Sequence, residues 1–328
     1  MPSLPFAPRP LASEGLSSWV ARLAVHNFVT ATDFWSGLGC DDPQDLAPPD
    51  GLFDQLSEAT RLDANELRRF FAPDLATIAA PLALSRPAFI RGAACPACCR
   101  DAADKGGDHF VSASSASLWR VSCPKHRVRL AGLDGYGLIL QDGAARFAHE
   151  GSRIGIGATG LTGRPAEFTL AFEDAVTRAI DGKPPGPEWR PRTSSTFLVS
   201  AAALIEVVLR RPGMTVAFAH QFDEIRNGSE TFFIGPDDQR RGTALLANQG
   251  PRDRMNVYAA VATLLAKPDA RSHPFATLMR WNDPKSLGPF AYAFDEFDDR
   301  LRAILTDRLE AWPDCIATPA RQALQRPR

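Results

Sequence analysis

Apolar side chains recur with a helical period along most of this chain. Leu16, Trp19, Val20 and Leu23 fall at i, i+3, i+4 and i+7, one stripe of a helix beginning near Ser13 or Ser17. Residues 29–38, with Phe34, Trp35 and Leu38, suggest a second short helix, and the prolines of 41–50 a loop. Residues 52–71 have the outline of a helix-turn-helix. Leu52, Phe53, Leu56 and Ala59 form a first apolar face; Asp63 offers an N-cap with Glu66 completing a capping box; Leu67, Phe70 and Phe71 then face the core, leaving Arg68 and Arg69 exposed.

Between 127 and 168 the pattern changes, and glycine alternates with β-branched and aromatic residues. Residues 137–140 and 153–157 read as short strands or irregular loops. Gly155 to Gly160 matches GxGxxG, but Leu-Thr-Gly-Arg-Pro follows where a dinucleotide site needs a helix, so that reading is rejected. Helical periodicity returns over 168–180 and stops at Gly182 and the Lys-Pro-Pro-Gly-Pro stretch at 183–187. Further helices are predicted over 197–211, 255–267, 274–281 and 294–312, the last with Phe294, Phe297, Leu301, Ile304, Leu305 and Leu309 on one face. The C-terminal Arg-Gln-Ala-Leu-Gln-Arg-Pro-Arg reads as a frayed basic tail.

The expected fold is therefore mainly α. Its parts are an N-terminal helical region with a helix-turn-helix-like pair (1–80), a small zinc-ribbon-like module (81–130) and a Gly-rich connection plus helix (131–182). A linker (183–195) and a C-terminal helical domain (196–328) follow.

Two tetrads carry the chemistry. Cys95-Pro96-Ala97-Cys98 and Cys123-Pro124-Lys125-His126 repeat one half-site, Cys-Pro-x-(Cys or His), with 24 residues between them. A two-residue gap lets one tight turn present two ligands, and two such turns complete a Cys3His shell for one structural zinc ion. Each proline fixes φ and stiffens its turn. Cys99 and His109 are rival ligands without a partner at that gap. Cys40 and Cys315 stand alone and read as small core residues. A redox pair at Cys95 and Cys98 would call for a strand before it and a helix after it, and the flanking sequence reads as neither.

Four ligands close a zinc shell, whereas a catalytic zinc keeps one position for water. No deaminase-type His/Cys-x-Glu element precedes Cys95, and neither GxSxG nor a phosphate loop occurs, so no enzyme is expected. No apolar run is long enough to span a bilayer, the N-terminus lacks a signal-peptide pattern, and the cysteine usage fits a reducing compartment. A soluble cytoplasmic protein is the expectation.

A net charge of −1 speaks against a uniformly basic nucleic-acid coat. The charge is uneven, however. Residues 86–130 hold eight Lys/Arg against three Asp, while residues 1–80 hold five Arg against eleven acidic residues. The basic side is either a solvated face or a docking face for phosphate or protein.

Two segments together resemble the TniQ family. One is the proline-rich start, 4–10, leading into Glu14-Gly-Leu-Ser-Ser-Trp19-Val-Ala-Arg22-Leu-Ala24. The other is Cys95-Pro-Ala-Cys98, then Trp119-Arg120, then Cys123-Pro-Lys-His126 and Leu130, similar to that family's CPxC … WR … CPxH … L finger. The resemblance covers about residues 1–130. It implies a non-catalytic accessory factor of DNA transposition that recognises target DNA or a CRISPR-type ribonucleoprotein and recruits an AAA+ ATPase. It also implies a mostly helical fold with helix-turn-helix and zinc-ribbon-like parts, in some members a homodimer; the lack of a long apolar run adds the expectation of no membrane partner. Many members carry a second Cys pair after CPxH; here that position reads Leu130-Ala-Gly-Leu-Asp-Gly-Tyr-Gly137. The docking residues expected on this reading are Arg68, Arg69, Arg120, Lys125, Arg127 and Arg129. A zinc-containing helix-turn-helix transcription regulator is the alternative.

Overall fold

The computed structural model describes residues 3–40, 48–71, 93–104, 110–112, 117–132, 164–211, 246, 249, 251–267, 289–294 and 297–326. These are mostly helical, and they fall into two compact units. The first spans 1–160 with 250–252, and the second spans 161–249 with 253–328.

Unit 1 opens with an extended strap. Helix α1 (Leu16–His26) carries it on polar side chains: Trp19 Nε1 donates to the Pro8 carbonyl at 2.8 Å and Arg22 Nη2 to that of Arg9 at 2.8 Å. Asn27 both donates to and accepts from the Phe6 backbone. The N-cap of α1 is Gly15, not a serine. The reason lies one residue earlier, where Glu14 turns inward and takes Ser18 as a hydrogen-bond donor.

Glu14 and Arg22 form a buried ion pair, 2% and 3% exposed, with two guanidinium–carboxylate bonds of 2.8 and 2.9 Å. With the Ser18 bond, the Leu11 amide adds a fourth bond to the carboxylate. Burial pushes the Glu14 carboxyl up from its ordinary value, against the downward pull of Arg22. Residues 110–112 lie against the same turn. Gly15 donates to the Val111 carbonyl, Val111 donates to Ser18 Oγ, and Glu14 bridges Ser112 in antiparallel fashion.

The predicted stripe of α1 is wholly buried, and it packs with α2 (Ala31–Gly37), α3 (Leu52–Thr60) and α4 (Ala64–Phe71) in one cluster. Trp19 stacks on Phe71 at 5.2 Å. Helices α3 and α4 form the expected pair, turned at Arg61 in the left-handed region, and Asp63 caps α4 by accepting from the Glu66 amide at 2.8 Å. Phe70 departs from the expectation. It is 40% exposed, with its ring edge against Phe71, because Leu67 and Phe71 already fill the inward side of a two-turn helix.

The described residues from 93 to 132 form a small module. Strand β1 (Ala93–Ala94) pairs antiparallel with β2 (Ala131–Gly132), with Ala93 opposite Gly132. Inside this frame Ser122 bridges Arg129, and α5 (Pro96–Asp104) leaves β1 directly. The strand-like readings at 137–140 and 153–157 and the rival ligand His109 lie outside the described residues.

In unit 2, α6 (Arg164–Ile180) begins a turn before its predicted start, with Pro165 in its first turn. It ends in a Schellman arrangement: Gly182 has φ +74°, its amide donates to the Ala179 carbonyl, and Lys183 donates to that of Arg178. Segment 183–193 buries Trp189 against Phe197 and bridges Ala266. Helix α7 (Ser194–Arg210), capped by Thr193, packs on α6, and Phe172 meets Phe197 and Tyr258 of α8 (Pro251–Leu265).

The long helix expected over 294–312 is instead broken. Helix α9 (Pro289–Phe294) ends, Asp298 caps α10 (Asp299–Arg308) through the Leu301 amide, and a 3₁₀ turn (Leu309–Ala311) follows. The Asp298 carboxylate binds a backbone amide better than it fills a helix interior, so a new helix starts there. The tail is not frayed over 321–324, since α11 (Asp314–Leu324) buries Ile316, Ala317, Ala320 and Ala323. Cys40 is buried as expected, whereas Cys315 is half-buried beside Ser200. The helix expected over 274–281 lies outside the described residues.

Candidate metal centre

Cys95 sits between β1 and α5, with Pro96 as the first helical residue, so the helix begins inside the tetrad. Cys98 is therefore in the first turn of α5, and its amide donates to Cys95 Sγ at 3.4 Å. This corrects one expectation. The tetrad does stand between a strand and a helix; a two-residue strand and a helix without a Ser, Thr, Asp or Asn cap leave little trace in sequence.

The second half-site is a tight turn. The Arg127 amide donates to the Cys123 carbonyl at 2.8 Å, and Arg127 itself takes φ +54°. Cys123 then donates to the Val128 carbonyl and Leu130 to that of Val121, so the turn closes a short hairpin. A residue with a side chain held in the left-handed region is uncommon, and here it lets the chain reverse directly after His126.

Together the two half-sites bring four donors to one place. Cys95 Sγ, Cys98 Sγ, Cys123 Sγ and a His126 nitrogen all lie within 4.8 Å of one another. His126 Nδ1 is 3.4, 3.3 and 3.7 Å from the sulfurs of Cys95, Cys98 and Cys123, and Cys98 lies 3.7 Å from Cys123. Hydrogen bonding among the sulfurs raises Cys98 and lowers Cys123, favouring a thiolate at the latter. These four residues could hold a metal ion. A redox pair would need only Cys95 and Cys98, and gives no reason for a third cysteine and a histidine to converge on them.

Cys99 is outside this group. It is 2% exposed, and burial pushes its thiol up to about 12, so it stays a neutral core residue.

One participant was missed in the sequence. Asp101 Oδ2 lies 3.2 Å from His126 Nε2, the ring nitrogen turned away from the sulfurs, and the same oxygen takes a hydrogen bond from Lys125 Nζ. That contact, with His126 adding to it, holds the Asp101 carboxyl below its usual range. The available signal was the spacing Cys98-x-x-Asp101, which puts both side chains on one face of α5.

The six residues expected to form a docking face are placed less uniformly. Lys125 is exposed but paired with Asp101. Arg68 is bonded to Asp54 at 2.5 Å and to Asn65 at 3.0 Å, while Arg69 is exposed with Nε on the Asn65 carbonyl. Arg127 is exposed, and Arg120 and Arg129 are half-buried.

The motif that opens α1 and the paired half-sites therefore belong to one folded unit. Residues 5–130 match the TniQ family model. The TniQ match runs from the strap through α1 and both half-sites to Leu130, the stretch over which the motifs carry the resemblance. No curated protein and no solved structure matches the chain.

Proposed function

We propose that this protein is a non-catalytic accessory factor of DNA transposition. It selects a target by binding DNA or a guide-RNA complex and hands that site to an AAA+ ATPase. The observation that carries the reading is the TniQ match over 5–130, on the same residues that converge the four donors.

The ion is zinc on this reading. Metal–sulfur bonds of about 2.3 Å and metal–nitrogen bonds of about 2.0–2.1 Å give a tetrahedron with S···S edges of about 3.8 Å and S···N edges of about 3.6 Å. The observed 3.7 Å and 3.3–3.7 Å fit those edges. Four donors fill the shell, so the ion supports the fold and takes no water for chemistry.

The docking face combines Arg120, Lys125, Arg127 and Arg129 with Arg68 and Arg69 of α4. Replacing Arg127 and Arg129 by Glu is expected to weaken binding of DNA or the ribonucleoprotein and to flatten its salt dependence by about 0.9 in slope per lost duplex phosphate contact. ATPase recruitment should fall in parallel. Elemental analysis of the same protein checks that zinc is retained. A zinc-loaded variant that binds and recruits like the native protein across a salt series would mean this edge is only solvated.

A further inference from the structure

A histidine has two ring nitrogens, and only one can face an ion. Here Nδ1 faces the three sulfurs and Nε2 faces Asp101. For Nδ1 to offer its lone pair, the ring proton must sit on Nε2, where it needs an acceptor. Asp101 Oδ2, at 3.2 Å, is that acceptor.

Asp101 is itself fixed. It lies on α5 one turn after Cys98, and Lys125 donates to the same carboxylate oxygen. The three residues therefore form a chain from ammonium to carboxylate to imidazole, ending at the metal cluster. Lys125 and His126 leave the knuckle side by side, while Asp101 comes from the other half-site. The chain thus ties the two half-sites together outside the cluster.

We propose that Asp101 is a positioning residue for the metal centre: it selects the tautomer of His126 that presents Nδ1, and with Lys125 it holds the imidazole at the angle the ion requires. The inference rests on the reading of the cluster as a metal site. A carboxylate behind a ligating histidine is worth about 10- to 100-fold in metal affinity. Its loss leaves the four donors in place but lets the ring turn and the proton redistribute.

The test uses the full chain and zinc alone as probe, with affinity measured by competition against a chromophoric chelator. Asp101→Ala is expected to bind zinc about 10- to 100-fold more weakly than native protein. Asp101→Asn keeps an acceptor oxygen but no charge, so it should fall between them. Lys125→Met leaves the Asp101–His126 contact intact and should lose less than Asp101→Ala. Imidazole NMR of zinc-loaded protein supplies a readout that a purely structural salt bridge would not move: Nε2–H should be slow to exchange in native protein and faster in Asp101→Ala. If Asp101→Ala does not fold, Asp101→Asn decides, with a severalfold loss and faster exchange expected. Native-like affinity and native-like exchange in the folded variant overturn the proposal, as does a zinc-loaded protein with its proton on Nδ1. Native protein that takes up no metal ion would instead overturn the metal reading itself.

Discussion

At the scale of single residues, unit 1 buries the Glu14–Arg22 ion pair. Arg22 satisfies Glu14 with two hydrogen bonds and ties the strap through the Arg9 carbonyl. Removing one partner of such a pair leaves a desolvated charge and costs about 3–5 kcal/mol. Arg22→Ala should therefore unfold at much lower urea than native protein, followed by Trp19 emission. The pH dependence has a definite sign. Burial already raises the Glu14 carboxyl, and losing Arg22 removes the interactions that lower it, so the folded variant takes up a proton more readily. A group with a raised folded pKa contributes stability at low pH that is lost as pH rises through that pKa. The deficit of Arg22→Ala relative to native should thus be largest at neutral pH and smaller at about pH 5. An equal deficit at both pH values would mean that Glu14 does not carry the cost.

At the scale of elements, legibility followed the length of the periodic signal. Helix α1 was readable because its apolar stripe keeps a helical period, α7 because a long apolar run ends at Arg210 and Arg211, and the four clustered donors because the half-site is written twice. The break between α9 and α10 was not, since Phe294, Phe297, Leu301 and Leu305 keep their period across it and only the capping Asp298 marks the new start. Helix α11 was missed for the opposite reason. Its buried face is mostly alanine, with Pro319 inside, so its hydrophobic signal is faint although the side chains are covered. Ile316 is the one large residue on that face and is 0% exposed, and α11 packs on α9. Ile316→Ala is expected to cost about 2–5 kcal/mol by thermal or urea unfolding. A change below about 0.5 kcal/mol, ordinary for a surface substitution, would show that α11 is peripheral. Asp101 was hidden because a charge on a helix reads as solvated until its neighbours are known.

At the scale of the whole molecule, the TniQ match falls entirely within unit 1, and unit 2 contributes helices of its own. Among the described residues, no helix is long and apolar enough to cross a membrane. Within unit 1, residues 110–112 follow the first half-site in sequence and precede the second, yet their backbone hydrogen-bonds to Gly15 and Ser18. An ion held by the four donors is therefore expected to couple to α1 through Val111. By reciprocity, whatever factor metal occupancy adds to the stability of that junction, a lesion in the junction must subtract from metal affinity. Stripping the ion with a chelator should speed amide exchange at Val111 and shift the emission of Trp19, and Ser18→Ala should weaken metal uptake in return. Full metal loss with Val111 exchange unchanged would place the two as independent neighbours. In a protein whose other five tryptophans are replaced by Phe, Trp19, buried at 0% exposure beside the residue that receives Val111, is then expected to report optically on metal binding at side chains other than its own.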